Sequence, residues 1–193
     1  HPDRQGGFRQ AAVHAQEALS LDPNDPWARM VAGLCYSTSG QHDRALGELA
    51  EALSLNPAFA LGHMAYGWAL LRAGRSDEAL AETGLALKLS PVDSFSGFYT
   101  TIHGLALLAR RRFAEALPYL RRSIAAFAEY AGHYNTLISV CGHLGLDSEA
   151  EEYIAARNRV GPPIRLSVLR INLAPFAHRD VFIEGLRKAG VPE

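Results

Sequence analysis

The stretch Gly40-Gln41-His42-Asp43-Arg44-Ala45 returns as Gly74-Arg75-Ser76-Asp77-Glu78-Ala79, with its first, fourth and last residues unchanged. The two copies stand 34 residues apart, and the same step backwards lands on Gly6 and Ala11. Proline keeps the period: Pro23, Pro57 and Pro91 follow Leu-Asp, Leu-Asn and Leu-Ser. Ala18, Ala52 and Ala86 keep it too, and Gly33 and Gly67 make one more pair. A fixed period of this size means stacked supersecondary units.

Each unit reads as two helices. Trp27 to Ser39 holds no proline and stops at Gly40, because glycine accepts the left-handed conformation that closes a helix. From Arg44 to Leu55, Leu46, Leu49, Leu53, Ala45 and Ala52 fall on one face, which is helical periodicity and not strand alternation. Pro57 ends that helix, since proline cannot donate to the preceding turn and restrains the residue before it. The next unit predicts a helix from about Ala60 to Ala73, the turn at Gly74, Ser76 as N-cap, and Asp77 and Glu78 at the positive end of the helix dipole.

Beyond Pro91 the register slips by three residues, and regular stacking is expected to change between Pro91 and Gly97. Asp93-Ser94 should cap a longer helix through Phe98 to about Ala109. Arg111 replaces the turn glycine, and Pro118 is placed near the first turn of the following helix, where proline costs least. The period then resumes with Gly145 at the turn, Asp147-Ser148-Glu149 as cap and Ala150 matching Ala116. Ile164 to Asn172 and Arg179 to Ala189 predict two tail helices that cover the end of the array.

The 193 residues carry 19 Lys+Arg against 20 Asp+Glu, a net charge of −1. This gives no electrostatic reason to expect nucleic acid or an anionic membrane as a direct partner. No apolar run approaches the roughly 18 residues of a membrane span, and nothing at the start reads as a signal peptide. Cys35 and Cys141 stand about three repeats apart, so two reduced thiols and a cytoplasmic location are the expectation. The chain opens on His1-Pro2 and not on Met, which predicts a fragment of something longer.

These residues resemble tetratricopeptide repeats (TPR). That family's unit places a small residue at its eighth position, an aromatic at the eleventh, Ala at the twentieth and twenty-seventh and Pro at the thirty-second. Gly33, Tyr36, Ala45, Ala52 and Pro57 match in one unit, and Gly67, Ala79, Ala86 and Pro91 in the next, where Leu70 replaces the aromatic. A third keeps Gly104 and Ala116 with Ser123 at the second alanine; a fourth keeps Leu137, Gly145, Ala150 and Pro162. The resemblance implies an all-α chain: a right-handed superhelix, or α-solenoid, of antiparallel helix pairs with a C-terminal helical cap. It divides the chain into an orphan second helix (1–23), repeats at 24–57 and 58–91, a divergent repeat with a three-residue insertion (92–130), another divergent repeat (131–162) and the cap (163–193). A narrower resemblance rests on Ser90-Pro91-Val92-Asp93, the lengthened third unit and the ending from Phe182 to Glu193. Those features look like the C-terminal TPR regions of bacterial class III adenylate/guanylate cyclases or winged-helix regulators, and imply the interaction half of a signalling protein.

No glycine-rich phosphate loop, Gly-x-Ser-x-Gly or His-Glu-x-x-His is present, so no enzyme, cofactor or metal is expected. His14 with Glu17, and His133 with His143, do not reach zinc-like ligand sets. Arg110-Arg111-Arg112 and Arg121-Arg122 read as helix-end cations more than as a phosphate grip. The resemblance places recognition on the concave face made by the first helices. There it selects Trp27, Met30, Leu34, Leu61, Met64, Trp68, Leu71, Arg72, Phe98, Thr101 and Leu105 as peptide-binding residues, with Asn135, Ser139 and His143 following in the last unit. An apolar face of this kind marks a binding surface. The expected partner is an apolar or amphipathic protein segment, either foreign or from the protein's own upstream domain. Self-association to a homodimer through Ala11, Ala15, Ala18 and Leu19 is the second reading.

Overall fold

A computed structural model describes residues 4–174 and 176–193. Among the described residues there are eleven helices and no strand. The chain divides into two compact units between Ser90 and Pro91, at the edge of the stretch where the period slips.

Unit 1 contains α1 (Arg4–Leu21), α2 (Pro26–Thr38), α3 (His42–Leu55), α4 (Ala60–Arg72) and α5 (Ser76–Leu89). Asp25 sets the start of α2: its carboxylate accepts from the Trp27 and Ala28 amides at 2.8 and 3.4 Å, and Pro26 takes the first helical position, where a missing N–H costs nothing. Closure is the same in each regular pair. Gly40 at φ 80° lets its own amide reach the Ser37 carbonyl and the Gln41 amide reach Tyr36; Gly74 at φ 82° repeats both bonds with Leu71 and Leu70. Ser76 is not the N-cap: Arg75 holds that position, Ser76 is the first helical residue and is buried, and Arg75 pairs with Glu78 at 2.5 Å across the turn. The first-turn acids Asp77 and Glu78 sit where the dipole favours them.

The pairs close because small residues let them. Ala45, Ala52, Ala79 and Ala86 are wholly buried. A Cβ on Gly33 would stand 2.6 Å from Leu49 Cγ, and one on Gly67 2.5 Å from Thr83 Cγ2, so α2 meets α3 and α4 meets α5 at glycine distance. Met30, Leu49, Phe59, Ala65 and Ala69 gather into one core between the pairs.

Unit 2 contains α6 (Ser96–Ala109), α7 (Phe113–Ala126), α8 (Ala131–Leu144), α9 (Asp147–Arg159), α10 (Leu166–Asn172) and α11 (Arg179–Lys188). Helix α6 begins later than the Asp93-Ser94 signal predicts, because Asp93 instead ties a preceding turn: its carboxylate accepts from the Phe95 amide at 2.6 Å and from the Tyr99 hydroxyl at 3.1 Å. Pro118 lies inside α7, past the first turn, and the helix runs on through it. Arg111 takes the glycine's place at the turn with φ 57°, and its own amide and that of Arg112 make the same closing bonds, to the Leu108 and Leu107 carbonyls. The N-cap of α9 is Leu146, and Asp147 and Glu149 enter its first turn as helix residues.

The tail caps unit 2 from the side of α6 and α8. Helix α11 packs on those two and not on α9, whose sequence is polar enough to bury only Ala150. Val181, Phe182, Ile183 and Leu186 point inward. Ser139 donates to the Phe182 carbonyl at 2.8 Å and His143 Nε2 meets the Val181 carbonyl at 2.8 Å. Gly142 and Gly185 come so close that a Cβ on either would collide with the other helix.

Candidate functional site

The first helices of unit 1, α2 and α4, lie side by side. Along α4, Leu61, Met64, Trp68 and Arg72 are all half-buried, while Ala65, Ala69, Leu70 and Leu71 between them are buried. That spacing is one helix face. On α2, Leu34 and Thr38 are half-buried and Trp27 is 52% exposed, its ring 4.9 Å from Phe59. Arg72 joins the two helices at one end: its Nε donates to the Ser37 carbonyl at 3.0 Å, and its guanidinium lies 5.8 Å from the Trp68 ring centre.

Four of the residues selected from the sequence are not on an open face. Met30, Leu71, Thr101 and Leu105 are all under 7% exposed. Met30 belongs to the core of unit 1, and Thr101 turns its hydroxyl to the Gly97 carbonyl at 2.9 Å. Position in a repeat specifies a face, and burial depends on what neighbouring elements place over it.

In unit 2 the corresponding helices, α6 and α8, carry α11. Phe98 is half-buried in an aromatic cluster with Phe127, Tyr130 and His133, at ring distances of 5.4, 5.7 and 5.0 Å. Ser139 and His143 are spent on α11, and Asn135 accepts from Arg157 at 3.2 Å. The face that the sequence extends over all units is therefore open to solvent on α2 and α4 and occupied on α8.

Three of the histidines have surface or packing roles. His14 meets Glu17 at 3.1 Å on the surface. His143 stacks on Phe113 at 4.0 Å. His133 is 1% exposed and neither ring nitrogen attains a good hydrogen bond. Burial pushes its pKa down to about 4, with the nearby Ser123 carbonyl opposing the shift in part. The arginines are largely paired: Arg112 with Glu115 and Arg121 with Glu149, each at 2.6 Å. Both cysteines are free and buried, and burial raises both thiols. Sequence reading missed a concavity of about 420 Å³ lined by Arg170, Arg179, Arg187, Asp180 and Glu184. Arg170 there binds Glu193 at 3.1 Å and Arg179 binds Asp180 at 3.2 Å; the three arginines lie on two separate short helices, so no motif announces them.

The tetratricopeptide repeat family model matches residues 36–94. No curated protein matches in sequence. Among solved structures, the chain is similar to PilF of Pseudomonas aeruginosa, at 19% identity over 97% of this chain and 82% of that one, with a TM-score of 0.73. It is similar to PilW, a widely conserved type IV pilus biogenesis factor, at 23% identity over 97% and 83%, with a TM-score of 0.74. A third is YrrB, a TPR protein with an unusual peptide-binding site, at 20% identity over 91% and 90%, with a TM-score of 0.62. No helix among the described residues is long and apolar enough to cross a membrane. The chain thus has the all-α fold of tetratricopeptide-repeat solenoids, built from antiparallel helix pairs and closed by a C-terminal helical cap.

Proposed function

We propose that this chain is a non-catalytic interaction scaffold that holds an apolar or amphipathic protein segment against α2 and α4. One observation carries the reading: Leu61, Met64 and Trp68 form a half-buried stripe ending in Arg72, beside Leu34 and the exposed Trp27. Large flexible and aromatic side chains on one rigid face suit a helix-in-groove partner. The divisions at residues 24–57, 58–91, 92–130 and 131–162 serve this scaffold as its repeats. The ending from Phe182 to Glu193, with its likeness to regions of bacterial regulators, supports a role as the interaction half of a larger cytoplasmic signalling protein, whose own upstream domain is one source of the segment.

A peptide enriched from a randomised display library on the wild-type protein provides the test. Trp68→Ala should weaken its binding by about tenfold or more, the loss typical of a central aromatic anchor, with an unchanged melting temperature. Equal binding by the folded variant contradicts the assignment.

Self-association is the second reading. A groove of about 380 Å³ between α1 and α2 is lined by Ala11, Ala15, Ala18, Trp27 and Val31, and Phe8 and Val13 are 44% and 51% exposed. Sedimentation equilibrium at rising concentration decides it: a strict monomer removes this reading.

A further inference from the structure

The charge balance of the whole chain hides a local surplus. Residues 163–193 hold five Lys or Arg against three Asp or Glu, whereas the full chain stands at −1. Three of these arginines line the concavity of about 420 Å³, Arg170 from α10 and Arg179 and Arg187 from α11. Arg179, Ile183 and Arg187 recur every four residues, which sets them on one face of α11. The two arginines stand about 12 Å apart along the axis, close enough for two long side chains to close on one ligand. Of the acids there, Glu184 is held by Lys188 at 2.9 Å, and Asp180, whose side chain is 92% exposed, meets Arg179 at 3.2 Å. Arg187 has no acidic partner among the described residues. Arg170 already grips an anion: Nη1 and Nη2 donate to the two carboxylate oxygens of Glu193 at 3.1 and 3.2 Å. The main chain brings Glu193 there, since the Leu166 amide donates to the Pro192 carbonyl at 2.8 Å and Arg165 donates to the Glu193 main-chain oxygen at 3.3 Å.

We infer that this concavity binds a phosphorylated small molecule, its phosphate held by Arg170, Arg179 and Arg187, and that the Glu193 carboxylate keeps the phosphate's place until the ligand arrives. Three guanidinium forks suit the three free oxygens of a phosphate monoester, where a carboxylate offers two. The volume exceeds what a bare phosphate fills and lies within the roughly 300–1,000 Å³ of small-molecule sites, and Ile183 gives the body of the ligand an apolar floor. Glu193 and Arg170 are both open to solvent, so their pair is weak and yields to a dianion. The site uses no residue of α2 or α4 and does not rest on the scaffold reading.

Calorimetric titration of the full chain with ribose 5-phosphate, inorganic pyrophosphate and acetate tests this, with the arginine side-chain N–H signals followed by NMR. Both phosphates should bind and shift the signals of Arg170, Arg179 and Arg187, and acetate should bind about tenfold more weakly or worse. Arg187→Gln, at an exposed side chain with no ion pair to lose, should weaken ribose 5-phosphate by about tenfold. Glu193→Gln should tighten it about two- to fivefold, because no internal anion is left to displace. Glu151→Gln, on α9, should leave it unchanged. No response to either phosphate, signal shifts at other arginines only, or equal affinity for acetate overturns the inference. So does an affinity that Glu193→Gln leaves unchanged, or that Glu151→Gln raises as much. Retention on vesicles of phosphatidic acid in phosphatidylcholine, without a response to ribose 5-phosphate, gives the arginines to a lipid surface and overturns the small-molecule site. Should Arg187→Gln not fold, the Glu193→Gln result decides alone.

Discussion

Arg29 and His63 make the same two contacts one repeat apart. Arg29 donates Nε–H to the Pro23 carbonyl at 3.0 Å and meets Glu48 at 2.8 Å. His63 meets the Pro57 carbonyl at 3.0 Å and Glu82 at 2.6 Å. Each partner also lies 34 residues from its counterpart. The side chain locks the end of one helix pair to the second helix of the next pair, and two different residue types satisfy the same geometry.

Replacement at this point should follow bridging capacity and not residue class. His63→Arg should leave the urea midpoint nearly unchanged. His63→Ala leaves Glu82 and a carbonyl without their donor and should cost about 1–3 kcal/mol. Chemical denaturation of both variants measures the difference.

Among the described residues Arg111 is the non-glycine residue held at positive φ, 57°, where Gly40, Gly74 and Gly145 occupy the equivalent turns. Its side chain approaches Glu184 no closer than 4.0 Å and is exposed, a contact worth little. Arg111→Gly should therefore stabilise the protein by about 1 kcal/mol, read as a rise in melting temperature. A fall would mean that the Glu184 contact outweighs backbone strain.

The turns and helix ends were legible because Gly40, Gly74, Pro57 and Pro91 act through backbone constraints that need no tertiary knowledge. Burial was less legible. The eighth and twentieth positions are small wherever helices touch, so Gly33 and Ala45 were readable; Met30 and Leu71 have side chains that suit a core and a groove equally. Ser76 misled because a serine before acids resembles a cap, yet its neighbour Arg75 pairs with Glu78 and the helix starts one residue beyond. The seat of α11 was not readable at all: an amphipathic tail specifies that it packs, and the polar sequence of α9 sends it to α6 and α8.

The glycines at the eighth position should differ in tolerance. A Cβ on Gly67 meets β-branched Thr83 and the Ala79 carbonyl, at 2.5 and 3.2 Å. The atoms nearest a Cβ on Gly104 all belong to the Leu120 side chain, its Cγ and Cδ2 both at 2.6 Å, so one side chain can shift where Gly67 also faces backbone. Gly67→Ala should cost about 2–3 kcal/mol and Gly104→Ala about 1 kcal/mol. Thermal denaturation of the pair checks the order; equal losses would contradict the packing described.

Acid should weaken unit 2. Burial lowers His133 to about 4, and burial together with the charge of Arg112 lowers His103 to about 4. The unfolded chain takes up these protons first as pH falls, so the stability is complete above the ordinary value of 6.5 and is lost through the window from there to about 4. Each site contributes no more than roughly 3 kcal/mol. His133→Phe, which fits the ring cluster of Phe98, Phe127 and Tyr130, should flatten the dependence of melting temperature on pH across that window; an unchanged slope would contradict the assignment.

The central claim concerns where a partner rests, and methyl NMR reads it directly. A display-selected peptide is titrated into protein with labelled Leu, Met and Val methyl groups. Shifts concentrated at Leu34, Leu61 and Met64, with Val181 and Leu186 of α11 unmoved, are the predicted result. Shifts confined to the outer helices, at Leu85 and Leu89 of α5, or to Val13 and Leu19 of α1, would contradict it.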